Sequence, residues 1–187
     1  MLTERIHNLW NIIVDPRPQS LSRIAKNTNN TWQASIGWLI IVSFLFSIAL
    51  AIFANDNAFI GRVIIGTLMF TIGILFWVFC IHYLCMVLFH KRTNYYEALL
   101  YIVVSIYTVA ITFSIILYIL PFGNGMLDLV AFIYFLVLVT IAIRAITNLA
   151  WWKTLITMTI STSLAIGCIA TSPLLIINLM RAVYSTG

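Results

Sequence analysis

The sequence predicts an all-α, polytopic membrane protein, with five transmembrane helices preceded by one or two short interfacial amphipathic helices. Two observations predict this class. First, hydrophobic residues make up 63% of the 187 residues and charged residues 8%, with a mean hydropathy of +1.07. A soluble domain carries roughly a quarter of charged residues, so too few polar side chains are present to cover a water-exposed surface. Second, the apolar residues form five long segments.

Those five segments cover about residues 33–54, 62–89, 97–120, 128–147 and 154–180. A hydrocarbon core about 30 Å thick requires roughly 20 apolar residues per helix, and the five segments meet that requirement. Their connections are short, so adjacent helices should be antiparallel. The chain then divides into a cytoplasmic interfacial segment, residues 1–32, and a five-helix transmembrane domain, residues 33–187.

The distribution of basic residues predicts the orientation in the membrane. Lys and Arg residues favour cytoplasmic loops, and most of the ten lie on one side of the predicted spans. The amino terminus is therefore predicted to be cytoplasmic and the carboxyl terminus extracytoplasmic. The residues on the cytoplasmic side are Arg5, Arg17, Arg23, Lys26, Lys91, Arg92, Arg144 and Lys153, and those on the other side are Arg62 and Arg181.

The first 32 residues carry an amphipathic pattern. Residues 2–14 place apolar side chains on one helical stripe and polar side chains on the opposite arc, which predicts a helix lying flat on the leaflet. Asp15 can cap a second short helix, whose first turn suits Pro16 and Pro18 and which would bury Leu21. The residues predicted to contact the membrane interface are Leu2, Ile6, Leu9, Trp10, Ile13, Arg17, Arg23, Lys26 and Trp32.

Ionisable residues within or beside the spans are few, which limits the chemistry available. Glu97 and Arg144 lie near cytoplasmic helix ends, where they could form an ion pair. His82 lies well inside the second span and could ligate a haem iron or a chlorophyll-type magnesium, or else bond to a neighbouring helix. The three cysteines have no metal-ligand spacing. No catalytic constellation is visible, so we expect a non-enzymatic protein without a metal, a soluble substrate or a nucleic-acid partner.

Two helices carry small residues at helical spacing, which permits close approach of another helix. In the first span these are Ser43, Ser47 and Ala51, and in the fifth they are Thr159, Ser163, Gly167 and Thr171. Either packing within the bundle or contact with a second membrane protein would explain them.

Taken together, these features resemble the Yip-type membrane proteins, whose eukaryotic members interact with Ypt/Rab GTPases. The resemblance covers nearly the whole chain. Its motifs are IIVDP in the amphipathic start, a Trp before the first span, TNYYEALLYIVVSIY entering the third span, and AIRAITNLAWWKTLI after the fourth. It implies a five-helix integral membrane protein with a cytoplasmic amino terminus. Only about 32 residues precede the first span, so the chain is similar to short prokaryotic members and GTPase binding is not implied.

The expected function is that of a membrane scaffold or organiser, which contacts lipids and other integral membrane proteins or a second copy of itself. One alternative is an accessory transmembrane subunit of a respiratory or photosynthetic complex, which could contact pigment or haem through His82. A small transporter is a weaker alternative, because the spans show no inverted repeat and no matching pair of broken helices.

Overall fold

The computed structural model describes residues 17, 19, 21, 32–54, 59–89, 96–119 and 125–167. Four helices have both ends within these residues: α1 (Trp32–Ala54), α2 (Phe59–Phe89), α3 (Tyr96–Ile119) and α4 (Gly125–Thr147). A fifth helix, α5, is described over 151–167. No strand occurs in this part of the chain, so the predicted all-α class is confirmed.

Within the described residues, three helices are long and apolar enough to cross a bilayer. The qualifying stretches are Trp32–Ile52 in α1, Phe59–Phe89 in α2 and Tyr96–Ile116 in α3. A shorter apolar stretch, Phe132–Thr147, lies in α4. The outer faces of these helices expose large apolar side chains such as Ile60, which is 74% exposed. Such surfaces suit lipid as the solvent, while the total of five spans stays a prediction.

The helix boundaries differ slightly from those predicted. Three helices, α2, α4 and α5, each begin three residues earlier than predicted. In α2, which begins at Phe59 instead of residue 62, the exposed Arg62 is accommodated inside the first turn. A long basic side chain can reach water from such a position. The helix α5 begins at residue 151 instead of 154, and its predicted end near residue 180 lies outside the described residues.

The central element of the bundle is α3. Every residue from Leu99 to Tyr107 is buried, although this stretch includes more than two full turns and therefore all faces of the helix. A helix that is apolar all round packs inside a bundle. Its neighbours include α1, where the Trp38 Nε1–H donates a hydrogen bond of 3.1 Å to Thr108 Oγ1, and α4, where Phe135 meets Tyr107 with ring centroids 6.4 Å apart.

The pair α1 and α2 makes a close contact between small residues. A Cβ atom added at Gly66 would lie 2.8 Å from Ser47 Oγ and 3.2 Å from Ser47 Cβ. The rings of Phe46 and Phe70 also meet there, with centroids 5.0 Å apart. Contacts of Ser47 with Gly66 and of Phe46 with Phe70 run in opposite directions along the two helices, so α1 and α2 are antiparallel. Glycine at position 66 is what permits this approach.

A three-residue corner connects α4 to α5. Asn148 has a φ of 51°, in the left-handed region, and its N–H donates a 2.9 Å hydrogen bond to the Arg144 carbonyl. Asparagine tolerates this conformation better than most residues and commonly ends helices. On the far side of the corner, the Thr154 N–H donates to the Ala150 carbonyl at 3.1 Å, which begins α5.

The helix α5 packs against α2 as well as α4. Lys153 Nζ lies 5.2 Å from the ring centroid of Phe89, and the Cys85 thiol lies within hydrogen-bonding reach of the Thr157 hydroxyl. Thr157 itself donates to the Lys153 carbonyl at 3.0 Å. The buried face of α5 therefore carries Thr154, Thr157 and Ser161, each fully buried.

One residue of the amino-terminal segment reaches the bundle core. Leu21 is fully buried and belongs to the same apolar cluster as Val103 and Ile143. Its N–H donates a 3.1 Å hydrogen bond to the carbonyl of Arg17, four residues earlier, as in a helical turn. The segment is thus attached to the transmembrane helices at this position.

Candidate functional site at the basic end of the bundle

At one end of the bundle α2 and α4 finish while α3 and α5 begin. We name this region the basic end because Arg144 and Lys153 lie there. Both cations are half-buried and both contact aromatic rings. The local sequence explains the arrangement: the corner after α4 places Trp151, Trp152 and Lys153 in the first turn of α5, directly beside the last turn of α4.

Arg144 lies over the indole of Trp151, with its guanidinium carbon 4.6 Å from the ring centroid. This separation is within the range of about 6 Å over which a cation is attracted to the face of an aromatic ring. The corner at Asn148 creates the contact, because it reverses the chain between the two residues. Trp151 remains 47% exposed, so the pair also has an outer surface.

Lys153 lies between two rings. Its Nζ is 5.2 Å from the centroid of Phe89 in α2 and 5.3 Å from that of Trp152. The ammonium group therefore links α5 to the end of α2. Trp152 is 59% exposed, and Trp side chains in such positions commonly lie at the headgroup level of a bilayer. The combination of exposed indoles and cations can contact phosphate headgroups.

Glu97 and Arg144, which were predicted to form an ion pair, have different surroundings in the described part of the chain. Glu97 is exposed in the first turn of α3, and Arg144 contacts Trp151 instead. An acidic side chain in the first turn of a helix is favoured there without an ion pair. The pairing therefore stays a prediction for the protein in a bilayer.

His82 is half-buried in α2, and its ring meets that of Tyr96 edge-on, with centroids 5.4 Å apart. In the described part of the chain, no three His, Cys, Asp or Glu side chains lie close enough to hold a metal ion. Haem or chlorophyll-type ligation by His82 stays a prediction. The contact with Tyr96 is a ring packing that fixes the start of α3 against α2.

The two predicted small-residue stripes lie in different environments. Ser43, Ser47 and Ala51 are buried in the bundle, where Ser47 faces Gly66. In contrast, Thr159, Ser163 and Gly167 are exposed on the outer face of α5. Thr159 and Ser163 line a groove between α4 and α5, and a Cβ added at Gly167 would meet no atom within 4 Å.

Among the predicted interface residues, Trp32 is the first residue of α1 and is 48% exposed, and Arg17 is also exposed. The other predicted interface residues lie outside the described residues, as does Thr171 of the second stripe. These are Leu2, Ile6, Leu9, Trp10, Ile13, Arg23 and Lys26.

The sequence alone did not identify the cation–ring contacts of the basic end. We expected NLAWWK to be a loop, whereas WWK forms the first turn of α5. One signal in the sequence indicated a helix end followed by a new helix. Asparagine is a common helix terminator, and it precedes the pair of tryptophans and the lysine. Assigning Phe89 as a partner of Lys153 required the three-dimensional packing of α2 against α5.

An all-helical bundle with lipid-compatible outer surfaces and an aromatic, cationic end defines an integral membrane protein. The family model of the Yip1 domain matches residues 10–172, which is most of the chain. The chain therefore belongs to the Yip1-domain family, as the resemblance predicted. Comparisons with curated proteins and with solved structures gave no match.

Proposed function

We propose that this protein is a non-enzymatic membrane organiser whose basic end binds anionic lipid headgroups of one leaflet. The observation that carries the proposal is the placement of Arg144 and Lys153 against exposed indoles at the same end of the bundle. The exposed indoles beside both cations place this end of the bundle where phosphate groups can reach it.

The charge distribution of the sequence supports a cytoplasmic location for this end. Most Lys and Arg residues lie on that side of the predicted spans, and anionic lipids are concentrated in the cytoplasmic leaflet. Each basic residue near such a surface contributes about 1 kcal/mol of attraction. Indoles at headgroup depth add an apolar component that does not depend on salt.

The amino-terminal segment is proposed to act at the same leaflet. Its predicted amphipathic stripe would insert shallowly among the headgroups and occupy area in one leaflet only. The burial of Leu21 supports a mechanical connection, because a fully buried residue of the segment packs with the core of the bundle. The inserted segment and the helix bundle would then move as one rigid body. A membrane organiser requires such a connection between its lipid contacts and its helices.

Lipid selectivity tests the proposal for the basic end. The full chain is reconstituted in nanodiscs of phosphatidylcholine with a minority of phosphatidylglycerol, and the lipids retained after extraction are counted by native mass spectrometry. In the double variant Arg144→Gln with Lys153→Gln, we expect phosphatidylglycerol to be retained at least about tenfold less, since two contacts of about 1 kcal/mol are lost.

The matched control is Arg62→Gln, which removes one exposed positive charge from α2 near its other end. It should leave phosphatidylglycerol retention by the basic end unchanged. Equal retention in the double variant and the native chain would contradict the proposal.

Removing residues 1–31 tests the amino-terminal segment separately. The shortened chain should still insert, because α1 to α5 are retained, but it should deform vesicles of anionic lipid less than the full chain does. The measurement is vesicle diameter after reconstitution at equal protein density. A shortened chain that assembles, localises and reshapes vesicles like the native one would show that the segment has no such role.

A further inference from the structure

A partly open groove of about 440 Å³ runs between α4 and α5 and reaches the basic end. On α4 it follows Ile133, Val137 and Thr140, which lie on one face of the helix because they are three or four residues apart. On α5 its wall extends from Trp151 to Ser163. We name this feature the α4–α5 groove.

The length and the wall of the α4–α5 groove suit a hydrocarbon chain. The stretch from Trp151 to Ser163 rises about 18 Å along α5, and one leaflet of the hydrocarbon core is about 15 Å deep. The wall is mainly apolar, and the Thr140 hydroxyl is engaged in a 2.7 Å hydrogen bond to the Leu136 carbonyl. The groove therefore extends from the basic end to about the middle of the bilayer.

The open side of the groove admits a chain but not a helix. Ile133, Val137 and Leu155 are each about half exposed, so this side faces lipid. A helix about 10 Å wide would fill roughly 1,400 Å³ over the same length, which is about three times the volume of the groove. A helix can thus lie across the groove without entering it. A single acyl chain is narrower and can enter by lateral movement within the leaflet.

The mouth of the groove is positively charged. Arg144 follows Thr140 by about one turn of α4, and its guanidinium carbon lies 4.6 Å from the ring centroid of Trp151, the first groove residue of α5. Lys153 lies at the same end of the bundle. Apolar walls alone do not distinguish one lipid from another, because all lipid tails are about as apolar as the side chains they contact. The charge at the mouth therefore selects the lipid.

We propose that the α4–α5 groove holds one acyl chain of the anionic phospholipid whose phosphate contacts Arg144. This inference rests on the headgroup contacts proposed above and adds a second point of attachment. The other acyl chain of the lipid stays in the bilayer through the open side of the groove. Because headgroup and chain belong to one molecule, binding of either raises the local concentration of the other at its site. The protein then retains a whole lipid of one leaflet.

A side chain that fills the groove tests the chain contact separately from the headgroup contact. Thr159 lines the groove and is exposed, so Thr159→Trp should fold while its indole blocks the path of the acyl chain. Ser163→Phe blocks the deeper end in the same way. The matched control is Ile160→Trp, because Ile160 is the next residue, is also exposed and does not line the groove. Thermal unfolding shows whether each variant folds.

The full chains are reconstituted in nanodiscs of phosphatidylcholine with a minority of phosphatidylglycerol, both with oleoyl chains. The lipids retained after extraction are counted by native mass spectrometry. Retention of phosphatidylglycerol should fall about fivefold in Thr159→Trp and in Ser163→Phe, since one of two linked contacts is lost. It should stay unchanged in Ile160→Trp.

Two results separate a failure of this inference from a failure of the headgroup contacts. If retention falls in the double variant Arg144→Gln with Lys153→Gln but not in Thr159→Trp or Ser163→Phe, the headgroup binds while both chains stay in the bilayer, and the inference is wrong. If retention falls in the groove variants but not in the double variant, the groove takes any acyl chain, and the headgroup contacts are wrong as well.

Three further results would assign the groove to another occupant and overturn the proposal. Displacement of phosphatidylglycerol by an equal amount of oleate would assign it to a fatty acid. A fall in protein mass from two chains to one in Thr159→Trp would assign it to a second copy of the chain. A rise in phosphatidylglycerol retention on removal of residues 1–31 would assign it to the amino-terminal segment.

Discussion

The small-residue stripes of α1 and α5 have the same spacing in the sequence but opposite places in the structure. On α1, Ser43, Ser47 and Ala51 are buried, and Ser47 approaches Gly66 so closely that a Cβ at position 66 would require a shift of its neighbours. On α5, Thr159, Ser163 and Gly167 are exposed. The comparison shows that the stripe indicates a surface capable of close contact, whereas the partner is decided by the arrangement of the whole bundle.

The largest expected difference between the two stripes comes from filling a glycine. Gly66→Leu should destabilise the protein by about 3 kcal/mol, because the added Cβ alone would overlap Ser47 and α1 must move away from α2. Gly167→Leu should change stability by less than about 0.5 kcal/mol, since a Cβ there meets no atom within 4 Å. Both are measured by equilibrium unfolding in detergent followed by circular dichroism. Equal losses would show that the face with Gly167 is also packed.

A smaller difference is expected between the two faces of α5 itself. Thr157→Val should cost about 1 kcal/mol, because it removes a buried hydroxyl that lies beside Cys85 of α2. Thr159→Val makes the same chemical change on the exposed face and should stay within about 0.5 kcal/mol of the native stability. The same unfolding measurement applies. A larger loss of stability for Thr159→Val than for Thr157→Val would show that the packed face of α5 is assigned incorrectly.

The smallest difference is expected for removal of a single serine hydroxyl. Ser47→Ala loses a 2.8 Å hydrogen bond to the Ser43 carbonyl and should cost about 0.5 kcal/mol. Ser163→Ala, on the exposed stripe, should be neutral or slightly stabilising, because alanine is the better helix former. Both variants replace a helical serine with alanine, so the contribution of helix propensity is the same in the two. Identical effects would mean that the Ser47 bond contributes nothing.

The sequence predicted the helical class, the approximate helix positions and the family, because each depends on patterns that extend over many residues. Apolar segment length is one such pattern, and the order of features along the chain is another. The predicted first residues of the helices were less accurate. Residues 59–61 and 151–153 were left out of α2 and α5, since Arg62 and the tryptophan pair were taken as boundaries.

Features that depend on how the helices pack against one another could not be predicted from the sequence. The buried face of α5 carries Thr157 and Ser161, and its exposed face carries Thr159 and Ser163, so both faces offer small polar residues. Periodicity cannot choose between them. The position of Lys153 between Phe89 and Trp152 likewise requires α2 beside α5, and these helices are far apart in the chain.

The left-handed conformation of Asn148 has a geometric consequence for the two cations. A corner of three residues is a short connection between α4 and α5, so Arg144 before it and Lys153 after it lie at the same end of the bundle. The proposed headgroup site thus owes its two neighbouring cations to a single backbone torsion angle.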